Sequence, residues 1–145
     1  LVYGGGGEGL MGALASGIDT SKTKIISIIP ENLNKTEILF KNFTKKILVK
    51  NLSERKKEMI NLSDIIIVLP GGFGTLDELS DILALNYLKE TKKKIIILNI
   101  NNYWEHLKIL LNDMKKHKFV DDKFGAYLYF YNTIDKAIKF IKNNL

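Results

Sequence analysis

A chain of 145 residues, 46% hydrophobic and 26% charged, can bury a sizeable core and is not composed like a disordered segment. It has no cysteine, which excludes disulfides, thiolate nucleophiles and cysteine metal sites and fits a reducing, cytoplasmic setting. The net charge of +6 favours anionic ligands, but the lysines are scattered without interleaved aromatics, which argues against a nucleic-acid groove, and no apolar run is long enough to cross a membrane.

Leu1–Tyr3 reads as the end of a strand already under way, so the expectation is one domain over residues 1–145 that lacks a leading strand–helix unit. No targeting segment is visible. Glu8–Thr20 carries Leu10, Met11, Leu14 and Ile18 at helical spacing. "KIISIIP" (24–30) is a strand closed by proline, and residues 30–44 read as a long loop with one helical turn. "KKILVK" (45–50) is a short strand. Leu52–Leu62 is helical, with Asn51 as N-cap and Glu54 in the reciprocal capping position. "DIIIVLP" (64–70) and "KKIIILNI" (93–100) are continuous apolar strands, the pattern of burial on both faces. Thr75–Glu90 repeats Leu76, Leu79, Leu83 and Tyr87. Tyr103–Lys116 is an amphipathic helix, with Trp104 as a packing residue at its start. "YLYFY" (127–131) is a last strand and Thr133–Asn143 a closing helix. This alternation predicts an α/β fold: a three-layer, doubly wound, Rossmann-like parallel sheet with helices on both faces.

In such a sheet, ligands sit beyond the carboxyl ends of the strands. The glycines fall there: seven lie within Gly4–Gly17 and three within Gly71–Gly74, of 11 in all. The first segment, "GGGGEGLMG", holds a Gly-x-Gly-x-x-Gly at Gly7, Gly9 and Gly12 between a strand and a helix, as a dinucleotide-binding turn requires. Glu31 lies about 20 residues further on, where a ribose-binding acid would sit. The second segment, "PGGFGT", repeats the device. Its backbone N–H groups can converge on an anion, and Thr75 adds a hydroxyl. Two loops suit one phosphate gripped from two sides better than they suit a dinucleotide.

"PGGFGTLDE" resembles the Pro-Gly-Gly-x-Gly-Thr-x-x-Glu signature of the cytokinin riboside 5′-monophosphate phosphoribohydrolases, the Lonely Guy family, long labelled lysine decarboxylase-like. "LVYGGGGEGLMG" is similar to that family's first glycine segment, "IISIIPENL" to its second strand, and "SERKKEMINLSD" to the helix carrying its Arg-Lys pair. The resemblance runs from residue 1 to about Lys116. It implies hydrolysis of the N-glycosidic bond of a nucleoside 5′-monophosphate to free base and ribose 5-phosphate, without a cofactor. It makes Arg55 and Glu78 the catalytic pair. Gly71, Gly72, Gly74 and Thr75 become phosphate-binding positions, helped by Gly5, Gly6, Gly7, Gly9, Met11 and Lys56. It further implies a homodimer with the active site near the interface.

The chemistry is consistent with those assignments. Glycosidic cleavage passes through an oxocarbenium-like sugar, which a carboxylate such as Glu78 stabilises. The competing reading is a capping box in which Glu78 folds back onto the Thr75 N–H. Arg55 is the single arginine beside 21 lysines, and its planar fork binds in a way that an ammonium cannot. Its competing reading is a surface pair with Glu58. His106 and His117 are isolated, so no metal site is expected. The decarboxylase label has no chemical support: that reaction needs pyridoxal phosphate on a lysine, and no lysine stands in a distinctive context. Two other functions stay open, a non-catalytic carrier of a nucleotide or phosphorylated cofactor and an NAD(P)-dependent oxidoreductase built on Gly7, Gly9 and Gly12.

Overall fold

The computed structural model describes residues 1–35 and 38–144. It divides into two compact units, Leu1–Ser63 and Asp64–Leu145. Each is a three-stranded parallel sheet flanked by helices, which makes the protein α/β and Rossmann-like in its construction.

In the first unit the strands are β1 (Val2–Tyr3), β2 (Ile26–Pro30) and β3 (Lys45–Val49), paired in that order. Tyr3 stands opposite Ser27, and Ile28 opposite Ile47. Helix α1 (Gly9–Ser16) connects β1 to β2, and α2 (Leu52–Asn61) follows β3 and packs on β2 and β3. The central strand carries the core: Ile28 and Ile29 are fully buried. Lys45, Lys46 and Leu48 on β3 are exposed, and its two lysines suit an edge strand, where charge discourages further pairing.

One expectation changes here. The spacing in α1 predicts that Leu10, Met11 and Leu14 face inward, but all three are exposed and the buried residues are Gly12 and Ala15. Small residues win that face because the helix lies tight against the preceding turn. The expected loop over 30–44 contains a short 3-10 turn at Leu33–Lys35, while Thr36 and Glu37 lie outside the described residues. Asn51 caps α2 as its sequence predicts, accepting from the Glu54 N–H at 2.9 Å. The Glu54 carboxylate reaches past the cap residue and accepts from the Lys50 N–H.

In the second unit β4 (Ile65–Val68), β5 (Lys94–Leu98) and β6 (Leu128–Tyr131) pair in sequence order. The connecting helices are α3 (Phe73–Tyr87) and α4 (Glu105–Lys116), and α5 (Ile134–Lys142) closes the chain against β5 and β6. Ile95, Ile96 and Ile97 on β5 are completely buried, as a continuous apolar run predicts. The same expectation for β4 does not hold within this unit, where Ile67 is 47% exposed. Among the described residues β5 has a strand on each side within this unit, whereas β4 has β5 on one side.

Helix α3 begins two residues earlier than its apolar repeat predicts, with Gly72 at the N-cap. Helix α4 begins two residues later, because Ile100–Asn102 form a separate 3-10 turn. Among the described residues no helix is long and apolar enough to cross a membrane.

Candidate functional site

The glycine segment of the first unit is knitted into its surroundings. The Gly7 N–H donates to the Ile38 carbonyl at 2.8 Å, and the Gly5 carbonyl accepts from Phe40 at 3.0 Å. Gly6 and Leu39 form an antiparallel bridge between them. Gly5 adopts φ +88°, which a side chain would strain. A Cβ on Gly12 would run into the Gly7 carbonyl, so this glycine lets α1 close on the turn. The Gly7-x-Gly9-x-x-Gly12 spacing thus has a packing role, and one of its amides is committed inside the fold. Glu8, an exposed acid, occupies the N-cap of α1, where a pyrophosphate would otherwise sit. Met11 reaches back over Gly6, with its methyl 2.5 Å from where a Cβ on Gly6 would lie.

Arg55 enters the same region from α2. Its guanidinium lies against the Cα of Gly4, so that a Cβ there would collide with Nη2 and stand 2.8 Å from Cζ. The side chain is half-buried and its Nε is shielded from solvent. A guanidinium laid on backbone is not a fully solvated surface charge. Lys56, the next residue, is half-buried as well.

Tyr3, just before Gly4, is buried opposite Ser27. Burial pushes its phenol above the ordinary value, and the adjacent Ser27 hydroxyl offsets part of that rise.

The glycine segment of the second unit is open instead. The first four N–H groups of an α-helix have no acceptor within the helix, and in α3 they belong to Gly72, Phe73, Gly74 and Thr75. Leu76 is the first to close a turn, onto the Gly72 carbonyl at 3.1 Å. Thr75 turns its hydroxyl over Gly71, where a Cβ would collide with it. Gly72 and Gly74 differ from the glycines of the first segment that pack against their neighbours. Neither has positive φ, and a Cβ on either would meet nothing within 4 Å. Turn geometry and internal packing therefore leave both positions open to larger residues, although glycine in a helix costs about 0.5–1 kcal/mol relative to alanine. Phe73, between them, is 91% exposed.

The start of α3 also removes the capping-box reading. Thr75 is the third residue of the helix, not its cap, so Glu78 does not stand at the reciprocal position. Glu78 is one turn beyond Thr75 on the same side of the helix and is half-buried.

Sequence reasoning misses two contributors to this segment. The Tyr103 hydroxyl donates to the Gly71 carbonyl at 2.8 Å. Asn99, fully buried, holds the turn before Tyr103: its Oδ1 accepts from the Trp104 N–H at 2.7 Å, and its Nδ2 donates to Glu105 at 2.9 Å. The available signal was an Asn-rich stretch directly after a buried strand's carboxyl end, where ligand loops gather. Trp104 is buried at the start of α4, the packing position its sequence context predicts.

A cavity of about 310 Å³ in this unit, lined by Leu83, Tyr87, Ile95, Phe124 and Leu128, lies at the opposite end of the strands. The glycine turn follows the carboxyl end of β4, whereas Ile95 and Leu128 stand at the amino ends of β5 and β6. Backbone amides, not that cavity, mark the candidate site. His106 and His117 are both exposed, and among the described residues no three acids or histidines cluster to hold a metal ion.

Comparison with known proteins agrees with these motifs. The family model described as "Possible lysine decarboxylase" matches residues 11–141. The chain is 38% identical over 124 residues to cytokinin riboside 5′-monophosphate phosphoribohydrolase LOG5 of Arabidopsis thaliana, covering 86% of this chain and 52% of that protein. It is 33% identical over 120 residues to the phosphoribohydrolase LOG2 of the same plant, covering 83% and 56%. A rice protein, "Probable cytokinin riboside 5′-monophosphate phosphoribohydrolase LOG4" of Oryza sativa subsp. japonica, is 34% identical over 121 residues, covering 83% and 53%. The chain spans about half the length of the relatives it matches. With its two glycine segments, its Arg-Lys helix and a family match across most of its length, this chain belongs to the Lonely Guy family, the family described as possible lysine decarboxylase.

Proposed function

We propose that this protein hydrolyses the N-glycosidic bond of a nucleoside 5′-monophosphate, AMP-like or a cytokinin riboside monophosphate, to free base and ribose 5-phosphate. The observation that carries the reading is the pair Gly72 and Gly74, open on the side where a Cβ would stand and set among the unsatisfied amides of α3. Such a surface admits a phosphate to backbone N–H distance. The Thr75 hydroxyl adds a donor, and Gly71 makes room for it.

Water supplies the oxygen that bonds to the anomeric carbon, and the base leaves with the glycosidic electron pair and a proton. Glu78 stabilises the positive charge that develops on the sugar or orients the water. Arg55 positions the nucleotide or assists the leaving base with a fork that stays protonated. Gly5, Gly6, Gly7, Gly9, Met11 and Lys56 belong to the nucleotide-binding set, Gly7 through close approach of its backbone, since its amide is taken by Ile38. Residues 1–145 act as one nucleotide-binding α/β domain in this reading. The protein is a cytoplasmic homodimer with its active site near the interface. The exposed Leu10, Met11 and Leu14 of α1 and Phe73 of α3 support the dimer.

Decarboxylation of lysine is not proposed. A Schiff-base lysine is activated by desolvation, and no described lysine side chain is buried. The oxidoreductase reading is disfavoured by Glu8 at the α1 N-cap and by the committed Gly7 amide.

The test is incubation with AMP and with an N6-substituted AMP, followed by assay of ribose 5-phosphate. Release of base and ribose 5-phosphate in equal amounts is expected. Binding of AMP without turnover would leave a carrier, and stabilisation by NAD but not by AMP would favour the oxidoreductase.

A further inference from the structure

Resting on that phosphate-loop reading, we infer that Tyr103 is a positioning residue: its hydroxyl fixes the Gly71–Gly72 peptide plane so that the Gly72 N–H is presented to the substrate's phosphate. The bond itself joins positions far apart in sequence, Tyr103 Oη donating to the Gly71 carbonyl at 2.8 Å. A trans peptide is planar, so that carbonyl and the Gly72 N–H point in opposite directions from one rigid unit. Holding one end aims the other. This peptide needs holding, because it is flanked by two glycines, the residue type with the widest choice of φ and ψ. Untethered, it can rotate and turn a carbonyl oxygen, instead of an N–H, toward an anion.

The turn after β5 sets the place of Tyr103 itself. Asn101 and Asn102 take φ of +53° and +60°, a left-handed pair that short polar side chains tolerate better than most. The turn they make delivers two aromatic residues side by side. Trp104 is buried, with its N–H on the fully buried Asn99, and the Tyr103 ring meets it edge to face at 4.9 Å between centroids. Asn99 is in turn held by Glu105. The phenol thus stands on a rigid base while Tyr103 as a whole remains 53% exposed. A ring needed only for packing would be buried like its neighbour. What this one offers is its hydroxyl.

Tyr103→Phe removes the hydroxyl and leaves the ring contact with Trp104. The experiment compares wild type and variant in steady-state cleavage of AMP, in inhibition by ribose 5-phosphate and by adenine, and in Tm. The KM for AMP and the inhibition constant for ribose 5-phosphate should both rise about threefold to tenfold, the effect of one hydrogen bond. The larger share should fall on KM rather than kcat, with adenine inhibition held and Tm lowered by no more than the loss of one hydrogen bond allows. A structural role alone would weaken both inhibitors together, and that result overturns the inference. So does a variant with wild-type affinity for ribose 5-phosphate. If wild type cleaves AMP and the variant does so with unchanged KM, Tyr103 alone is misassigned. If wild type neither cleaves AMP nor binds ribose 5-phosphate, the phosphate-loop reading falls and this inference with it.

Discussion

The guanidinium of Arg55 rests on the Cα of Gly4, filling the space where any other residue would carry its Cβ. The obstruction is the far end of a flexible side chain, so Gly4→Ala should fold and simply push the arginine aside. Tm should fall less than in Gly12→Ala, while turnover of the nucleotide falls about 10-fold or more as the fork leaves its place. Gly12→Ala is the contrasting case, because its Cβ meets the backbone carbonyl of Gly7. Overpacking of this kind costs about 1–3 kcal/mol, more than the roughly 1 kcal/mol that alanine gains over glycine in a helix. Thermal melts of the two variants beside their turnover rates check the pair. Equal losses of stability would contradict the geometry.

Gly74→Ala should do the reverse of Gly12→Ala. With no neighbour within 4 Å and ordinary φ, the added methyl strains nothing and should raise stability by up to about 1 kcal/mol. The same methyl stands where a phosphate would approach the amides of α3, so affinity for ribose 5-phosphate should fall at least about 10-fold. Calorimetric titration with a denaturation curve measures both. A stabilised variant that keeps full affinity would remove Gly74 from the site.

Glu78→Gln separates charge from shape. Because α3 starts at Phe73, Glu78 has no reciprocal capping role to lose, and glutamine matches its size. An amide cannot neutralise an oxocarbenium-like sugar, so kcat should drop by about 100-fold or more. Single-turnover kinetics on AMP decides it, and undiminished kcat would exclude the carboxylate from the reaction.

Tyr3 gives the fold a pH dependence of known sign. Burial raises its phenol above the ordinary 10.0, with Ser27 offsetting part of the rise. The unfolded chain therefore loses this proton first, and stability falls as pH rises. The contribution is fully present below pH about 10 and is lost as pH climbs through the folded value. Urea unfolding across the alkaline range should show wild type losing stability more steeply than Tyr3→Phe. Parallel curves would show that the phenol is not held in its neutral form.

Much of the architecture is legible along the chain because it follows from local pattern. The run Ile95–Leu98 reads as a buried strand and is one. Asn51 reads as a cap and accepts the Glu54 amide. The glycines of Gly71–Gly74 read as the opening of a helix that leaves amides free, and α3 starts among them. The errors fall where a local pattern has two solutions. Leu10, Met11 and Leu14 make an apolar face on paper, yet α1 buries Gly12 and Ala15 because only small residues let it reach the Gly7 carbonyl. Ile65–Val68 looks like β5, yet Ile67 is 47% exposed.

Composition, apolar runs and glycine spacing were enough to determine an α/β chain of parallel strands, and the motifs around Arg55 and Glu78 carried the resemblance to the Lonely Guy family, since each is a property of neighbouring residues. Tertiary structure decided which atoms those residues offer. It commits the Gly7 amide to Ile38, lays Arg55 on Gly4, and ties Gly71 to Tyr103. Each of these joins segments separated by a strand, a helix or both. Hydrogen bonds and close approach depend on distance in space, and no spacing along the chain encodes which distant backbone will arrive.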